Sequence, residues 1–312
     1  MPLEDFIISV FCWVEVQVIQ VLQGAKLRQR GYAPRLSDAE VITMEIVGAV
    51  LGYEGDEAIW EYFRRHWLAW FPGLGSRTTF SRQAANLWWV KQRLHQRLVA
   101  ELGADTADGH VIDGFPIPVC QLVRAPRSRV LTAESDYGYC AAKKAYYYGL
   151  KGHLLIDLRG VVTGITVTAA QVDERDAAYD VLTAIEGILL GDKGYIRPQF
   201  QAECEAMGID LQTPVRRNMT ERRPTWWLRL LRRLRKRIET VISQLEQQFG
   251  LARRRARDAW HLTNRVTRAL LAHTVGVAFN LRLGRSPSNS KCGKNIYIQQ
   301  IVGKQEEFLI IR

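Results

Sequence analysis

The sequence predicts an α/β protein with an all-helical N-terminal region, and three observations along its 312 residues indicate this architecture. Apolar residues recur at intervals of three and four over the first hundred residues, which is typical of amphipathic helices. At Gly109 the pattern changes to short apolar segments of strand length. After that point the strand-like segments alternate with helical ones, as they do in layered α/β domains. We therefore expect a sheet flanked by helices behind a helical region.

The N-terminal region, residues 1–105, has helix-start signals at two places. Ser37 and Glu40 have the spacing of a capping box, and Ser76 is placed to cap a later helix. Short helices joined by a tight turn, with a basic third helix, are typical of a helix-turn-helix DNA-binding region, although a plain helical bundle has the same pattern. Helices are predicted over residues 41–51, 56–67 and 78–102. The basic residues along the third are Arg77, Arg82, Lys91, Arg93 and Arg97.

The following region, residues 106–283, is predicted to be the α/β domain, with glycines at many of its joins. A strand is predicted over residues 110–118, where two prolines close the segment. Two further strands are predicted on either side of a turn at 157–160, and others over 187–190 and 209–215. Helices are predicted over 174–186, 198–207, 231–249 and 264–281, and the last two should cover the sheet. Residues 284–312 are expected to be a poorly ordered tail, and the sequence assigns them no function.

The chain is basic, with 43 Lys and Arg against 32 Asp and Glu, and much of the excess lies in one segment. This basic window, residues 214–237, contains ten basic residues and one acidic residue. Such a concentration favours a polyanionic partner, namely DNA, over a merely solvated face. Two of the residues predicted to bind DNA, Lys193 and Tyr195, lie before the window. Those within it are Arg216, Arg217, Arg222, Arg223, Arg232, Arg233, Arg235, Lys236 and Arg237.

Composition argues against other classes of protein. The longest apolar segments are interrupted by polar residues, which argues against a membrane protein. Acidic residues precede the first of these segments, whereas a secretory signal begins with basic residues. The five cysteines are scattered and have no metal-binding spacing, so we expect reduced thiols in a cytoplasmic protein.

Two aspartates follow predicted buried strands, and a glutamate lies within basic sequence. Asp113 and Asp192 end their strands, where sites are often built, although a turn-forming Asp has the same pattern. Glu239 lies on a helix four residues after Arg235, which is also the spacing of an ordinary ion pair. Three carboxylates without His or Cys favour Mg²⁺ or Mn²⁺. Two such ions support nuclease and strand-transfer chemistry on a phosphodiester.

Ordered sequence blocks around these acids resemble bacterial DDE transposases of the insertion-sequence 982 family. Residues 111–120 resemble the first-aspartate block, 190–195 the second block and 237–245 the third. The segments that follow the family's order elsewhere are 138–144, 147–154, 172–175 and 249–251. The resemblance covers about residues 1–283 and implies a ribonuclease H-like mixed sheet, with Asp113, Asp192 and Glu239 as catalytic and metal-binding triad.

The chain departs from a Tyr-x2-Arg-x3-Glu-x6-Lys signature of related transposases. Arg235 and Glu239 fit, but position 232 is Arg and position 246 is Glu. The DNA contact of the missing Lys must then come from elsewhere, with Arg253 or Arg254 as candidates.

The resulting hypothesis is a transposase that cuts and joins DNA at insertion-sequence ends by two-metal-ion phosphoryl transfer. Its partners would be element ends and target DNA, it would act as a homodimer on paired ends, and it would work at the bacterial nucleoid. Two alternatives stay open: a ribonuclease H-like nuclease that does not join its products, and a non-catalytic DNA-binding derivative.

Overall fold

The computed structural model describes residues 1–28, 30–182, 185–251, 256–285 and 287, and the chain forms two compact units. The helical unit contains Met1–Arg97 and Gln248–Gly250 together with the described residues from Trp260 onward, and the sheet unit contains Leu98–Gln247 and the described part of Leu251–Ala259. The predicted tail, residues 284–312, lies outside the described residues apart from positions 284, 285 and 287.

Helices and strands alternate in the second half of the chain, as the sequence predicts. The helices are α1 (Leu3–Leu22), α2 (Asp38–Val50), α3 (Asp56–His66), α4 (Arg77–Asn86), α5 (Trp88–Glu101), α6 (Glu174–Leu182), α7 (Pro198–Ala206), α8 (Thr225–Gln247) and α9 (Ala259–Arg282). The strands are β1 (Gly109–Cys120), β2 (Asp136–Cys140), β3 (Ala145–Asp157), β4 (Val162–Ala169), β5 (Gly187–Leu190) and β6 (Ile209–Gln212).

The predicted capping box begins α2. The Ser37 hydroxyl accepts a hydrogen bond from the Glu40 N–H at 3.1 Å, and the Glu40 carboxylate accepts one from the Ser37 N–H at 2.6 Å. Two N–H groups that have no partner within the helix are thereby satisfied, and this prediction is confirmed.

The predicted long third helix is wrong, because the structure divides it into α4 and α5 at Leu87. Leu87 is buried, and Asn86 before it is a weak helix former, so packing and local propensity both favour a break there. Ser76 caps α4 as predicted. Lys91 is fully buried on α5, so it is not one of the exposed cations that a DNA-reading helix would present.

Helix α9 from Trp260 onward belongs to the helical unit, whereas the sequence assigned it to the α/β domain. Almost every residue from Val266 to Ala278 is buried, whichever side of the helix it occupies. A helix that is apolar on all sides is buried in the centre of a helical unit. The Phe6 ring of α1 packs edge-to-face on Phe279 with centroids 5.1 Å apart.

Helix α1 buries residues at intervals of three and four, including Phe6, Val10 and Val14, and thus packs one face into the helical unit. By length and composition it is also apolar enough to cross a bilayer. The core helix of a soluble protein meets the same criterion, so the helix decides nothing about location.

The sheet runs β4-β3-β1-β5-β6, with β2 pairing the first residues of β3 on the edge that β4 also occupies. Strands β1, β3 and β4 are antiparallel neighbours, whereas β5 and β6 run parallel to β1. This mixed order confirms the predicted ribonuclease H-like fold class.

The sequence does not predict strand β2. It is only five residues long, and its alternate tyrosines, Tyr137 and Tyr139, are half exposed. Short edge strands have little apolar content to detect, so only the pairing with β3 reveals this one.

Acid should destabilise the helical unit through His273 on α9. Burial lowers the pKa of His273 to about 4, and the nearby His95 acts in the same direction. An unfolded histidine titrates near pH 6.5, so the neutral ring stabilises the fold fully above that pH and loses its contribution as the pH falls toward 4. We expect His273 to account for about 2 kcal/mol of unfolding free energy lost between about pH 7 and pH 5.

Urea unfolding followed across that pH range measures the effect. His273→Gln should show a flatter pH dependence than the unmodified protein, whereas His66→Gln, which changes an exposed histidine, should not. Equal pH slopes for all three proteins would contradict this prediction.

Candidate active site

Asp113 and Asp192 lie at matching positions relative to the neighbouring parallel strands β1 and β5. Val111 of β1 is in register with Leu190 of β5, and each aspartate comes two residues after its member of that pair. The pairing of β1 with β5 stops at Val111, so the strands separate where the aspartates begin. The carboxylates therefore lie side by side at the ends of a parallel strand pair, where the backbone on both sides is held by the sheet.

Asp113 lies inside β1, so the prediction that it ends the strand is wrong. The strand continues to Cys120 through Pro116 and Pro118. Beyond Val111 this strand pairs only with β3, so its other edge is open and a missing N–H there breaks no ladder. The prolines therefore do not terminate the strand.

Each aspartate also accepts a hydrogen bond from a glycine N–H. Asp113 accepts one from Gly114 at 2.8 Å. Asp192 accepts one from Gly194 at 2.6 Å and caps the 3₁₀ turn Lys193–Tyr195, so its interpretation as a turn-forming residue is also correct. These bonds fix the direction of both carboxylates.

The protein around Asp113 disfavours the charged form of its carboxylate. Burial raises the pKa of Asp113 to about 7, and the charge of Asp192 acts in the same direction. The Gly114 N–H and Arg235 of α8 oppose this shift without cancelling it. A cation placed between the carboxylates would relieve their repulsion.

A third carboxylate, Glu174, lies beside both aspartates, and sequence reasoning missed it. A Cβ atom at Gly194 would lie 2.9 Å from Glu174 Oε2 and 2.8 Å from Asp192 Oδ1. A Cβ at Gly114 would lie 3.1 Å from Glu174 Oε1. Glu174 therefore occupies space that these glycines leave free. Burial is the largest cause that raises the pKa of Glu174, and the charge of Asp192 raises it further. Lys151 Nζ lies 3.9 Å from Glu174 Oε1.

In the sequence, Glu174 is one of several acids at the start of a predicted helix, where acids meet the partial positive charge of the helix end. The signal that it belongs to the site is the pair of glycines following the aspartates. That signal has meaning only once the start of α6 is known to pack over them.

The predicted convergence of Asp113, Asp192 and Glu239 on a shared ion is not formed in this structure. Glu239 is exposed on α8, one turn after Arg235. Among the residues that the structure describes, no group of three Asp, Glu, His or Cys side chains is arranged to hold a metal ion. The donor chemistry nevertheless fits a hard cation, because the neighbouring side chains are carboxylates in excess of local positive charge.

Most of the basic residues predicted to bind DNA are exposed. Arg216 links the basic window to the loop after Asp192, because its guanidinium donates to the carbonyl oxygens of Lys193 at 3.4 Å and Ile196 at 3.3 Å. Arg235 is half-buried, and its charge reaches Asp113. The exposed members are Lys193, Arg216, Arg217, Arg222, Arg232, Arg233 and Lys236.

Three predicted DNA contacts need correction. Tyr195 is fully buried with its ring near Phe200, because the 3₁₀ turn points it into the core, so it cannot stack on DNA. Arg223 donates to Glu221, Gln212 and Thr213, and Arg237 donates to the Leu158 carbonyl. Both arginines therefore hold the fold together. The candidates Arg253 and Arg254 lie outside the described residues.

A family model described as a transposase DDE domain matches residues 104–259, which is half of the chain. The chain belongs to this transposase DDE domain family. The match spans both aspartates, Glu239 and the basic window. Identification as a DDE transposase is thereby confirmed, while the assignment to the insertion-sequence 982 family stays a prediction.

Comparison with solved structures finds a cryo-EM structure of a piggyBac transposase synaptic complex with hairpin DNA. It is 9% identical in sequence with a TM-score of 0.49, and the match covers 93% of this chain and 77% of that one. A search of curated proteins finds no match.

Proposed function

We propose that this DDE transposase cuts and joins DNA at the ends of an insertion sequence of the 982 family, using Mg²⁺ or Mn²⁺. The observation that carries the proposal is the placement of Asp113 and Asp192 beside each other, each two residues beyond the paired residues Val111 of β1 and Leu190 of β5, within the DDE family match. Excess negative charge at that point, inside a basic protein, is the arrangement expected where acids hold cations and arginines hold phosphates.

Asp113 and Asp192 would hold the metal ions, with Glu239 as the third carboxylate. When bound, two such ions activate a water or a 3′-hydroxyl and stabilise the leaving oxygen of the phosphodiester. Glu239 lies one turn beyond Arg235, the α8 residue whose charge already reaches Asp113. Glu174 would then position the backbone beside the aspartates, at Gly114 of β1 and at Gly194 of the turn after Asp192.

The exposed arginines and lysines would position the DNA backbone. Lys193 and Arg216 flank the loop after Asp192, while Arg232, Arg233 and Lys236 lie on α8 before Glu239. Contacts of this kind are made with phosphates, so they set register without reading sequence. Sequence recognition would fall to the N-terminal region, residues 1–105, as a helix-turn-helix-like reader.

Residues 106–283 would contain the catalytic site and part of the DNA-binding surface, although α9 lies in the helical unit. Two element ends must be brought together for joining, so a homodimer on paired ends is proposed. The place of action would be the bacterial cytoplasm, at the nucleoid.

The deciding experiment incubates the full-length chain with labelled DNA taken from both sides of its coding sequence, with Mg²⁺ or with EDTA. We expect cleaved ends and joined products with Mg²⁺, and unmodified DNA with EDTA. Cleavage without joining would identify a nuclease. Binding without any cleavage under either condition would identify a non-catalytic derivative and overturn the proposal.

A further inference from the structure

A hairpin formed by β2 and the start of β3 carries four tyrosines on one face. The cross-strand register pairs Tyr137 with Tyr148 and Tyr139 with Tyr146. Their ring centroids are 5.1 Å apart in the first pair and 5.0 Å in the second, and both pairs are tilted. The rings thus form a continuous aromatic surface along the hairpin.

This tyrosine surface is exposed although it is built from large rings. Tyr137, Tyr139 and Tyr146 are 50%, 53% and 68% exposed, whereas Tyr148 is buried and anchors the set. A contiguous exposed aromatic patch on one face is a common mark of an interaction site.

The tyrosine surface lies on the same face of the sheet as Asp113. Asp113 is in register with Leu154 of β3, and Tyr148 lies six residues before Leu154 on that strand. Side chains alternate between faces, so residues an even number apart share one. At 3.4 Å per residue, the distance along β3 from Leu154 to Tyr148 is about 20 Å.

The opposite face of the hairpin confirms this alternation. A Cβ at Gly138 would lie 3.0 Å from the Tyr147 ring, so those two residues share the other face. Farther along β3, a Cβ at Gly152 would lie 2.6 Å from the ring of Phe115, which occupies the Asp113 face of β1.

The turn of the hairpin adds positive charge. Lys143 and Lys144 connect the two strands, and both are exposed. Lys143 Nζ lies 3.2 Å from Glu246 Oε1 of α8, while Lys144 has a φ of 47° in the turn. Exposed rings beside cations fit a single strand of nucleic acid, because every base offers a π-face and every phosphate a negative charge.

We infer that Tyr137, Tyr139, Tyr146 and Tyr148, with Lys143 and Lys144, form a stacking surface for unpaired bases of the DNA strand that extends from the Asp113 site. The inference rests on the proposed function only in naming DNA as the polymer. A duplex keeps its bases stacked inside the helix, so the surface would select strands that are unpaired or frayed.

The test measures binding of the full-length chain to a fluorescent single-stranded oligonucleotide and to the matching duplex, in EDTA, by anisotropy. Tyr139→Ala and Tyr146→Ala should each weaken single-strand binding about tenfold and leave duplex binding within about twofold. Tyr139→Phe and Tyr146→Phe keep the ring and should bind like the unmodified chain. Lys144→Ala should reduce the salt dependence by about one phosphate contact.

Unchanged single-strand affinity in both alanine variants would overturn the inference, as would an equal loss for duplex. A change in particle mass by light scattering in Tyr139→Ala would instead identify an interface between copies of the chain. Photocrosslinking of an iodouracil oligonucleotide to the unmodified chain gives an independent readout, and crosslinks that avoid the four tyrosines would also contradict it. Since no metal or cleavage is needed, failure of the cutting and joining assay leaves these measurements valid.

Discussion

Replacing Asp192 by Asn is expected to reduce cleavage and joining of element ends by about a thousandfold or more while DNA binding is retained. Asparagine keeps an oxygen that accepts the Gly194 N–H, so the turn after β5 should persist. What is lost is the negative charge beside Asp113 that a divalent cation requires. Gel assays of product formation with Mg²⁺, alongside anisotropy in EDTA, separate the two effects.

Asp113→Asn should give the same loss, because both acids would hold the same ions. A matched control is Asp136→Asn, which changes an aspartate on β2 at the sheet edge and should leave cleavage unchanged. Full cleavage by Asp192→Asn or Asp113→Asn would place the chemistry elsewhere in the chain.

The two glutamates near the site should differ in their effects. Glu239→Gln is expected to match the aspartate variants, whereas Glu174→Gln should cost only about ten- to a hundredfold, as for a group that positions ligands. Mn²⁺ affinity measured by calorimetry should follow the same order. The reverse order would make Glu174 the third carboxylate, which is the acid that the structure already places beside the aspartates.

Much of the sheet unit was predictable because its signals are local. Strand β5 begins and ends at the predicted residues, since Gly187 and Gly191 bracket a short apolar run. Asp113 and Asp192 were recognisable because charge is costly near buried strands. Their closeness, however, depends on the register of Val111 with Leu190, which no local pattern contains.

The features that sequence reasoning missed depend on contacts between distant segments. Glu174 is an ordinary helix-start acid until α6 is placed over Gly114 and Gly194. Helix α9 has a pattern that fits packing on a sheet as well as packing among helices. Lys91 looked like an exposed cation on a basic helix, and one of its partners, Asn264, is 173 residues away in sequence.

The helical unit contains a buried ionic network centred on Lys91 and Glu45. Lys91 Nζ donates to Glu45 Oε2 at 2.5 Å and to the Ala84 carbonyl at 3.1 Å, and both charged side chains are fully buried. Arg268 of α9 contacts Glu45 at 3.4 Å from the other side and also pairs with Asp56. The network thus joins α2, α3, α5 and α9 with two positive and two negative charges.

Lys91→Met should lower the free energy of unfolding by about 3–5 kcal/mol, because methionine fills similar space but leaves an unbalanced negative charge in the core. Burial raises the pKa of Glu45, so the remaining carboxylate would take up a proton more readily once its lysine is gone. Urea unfolding followed by tryptophan fluorescence measures the loss. The exposed pair of Arg65 and Glu61 on α3 is the matched control, and Arg65→Met should cost less than about 1 kcal/mol.

The double variant Lys91→Met with Glu45→Gln separates charge from packing. Removing both charges leaves Arg268 with Asp56, so most of the stability lost in Lys91→Met should return if the cost is electrostatic. If the double variant is as unstable as the single one, the hydrogen bonds of Lys91 to Ala84 and Asn264 hold the helices together instead. In that outcome the charge on Lys91 contributes little, and the cost comes from the hydrogen bonds lost with the ammonium group.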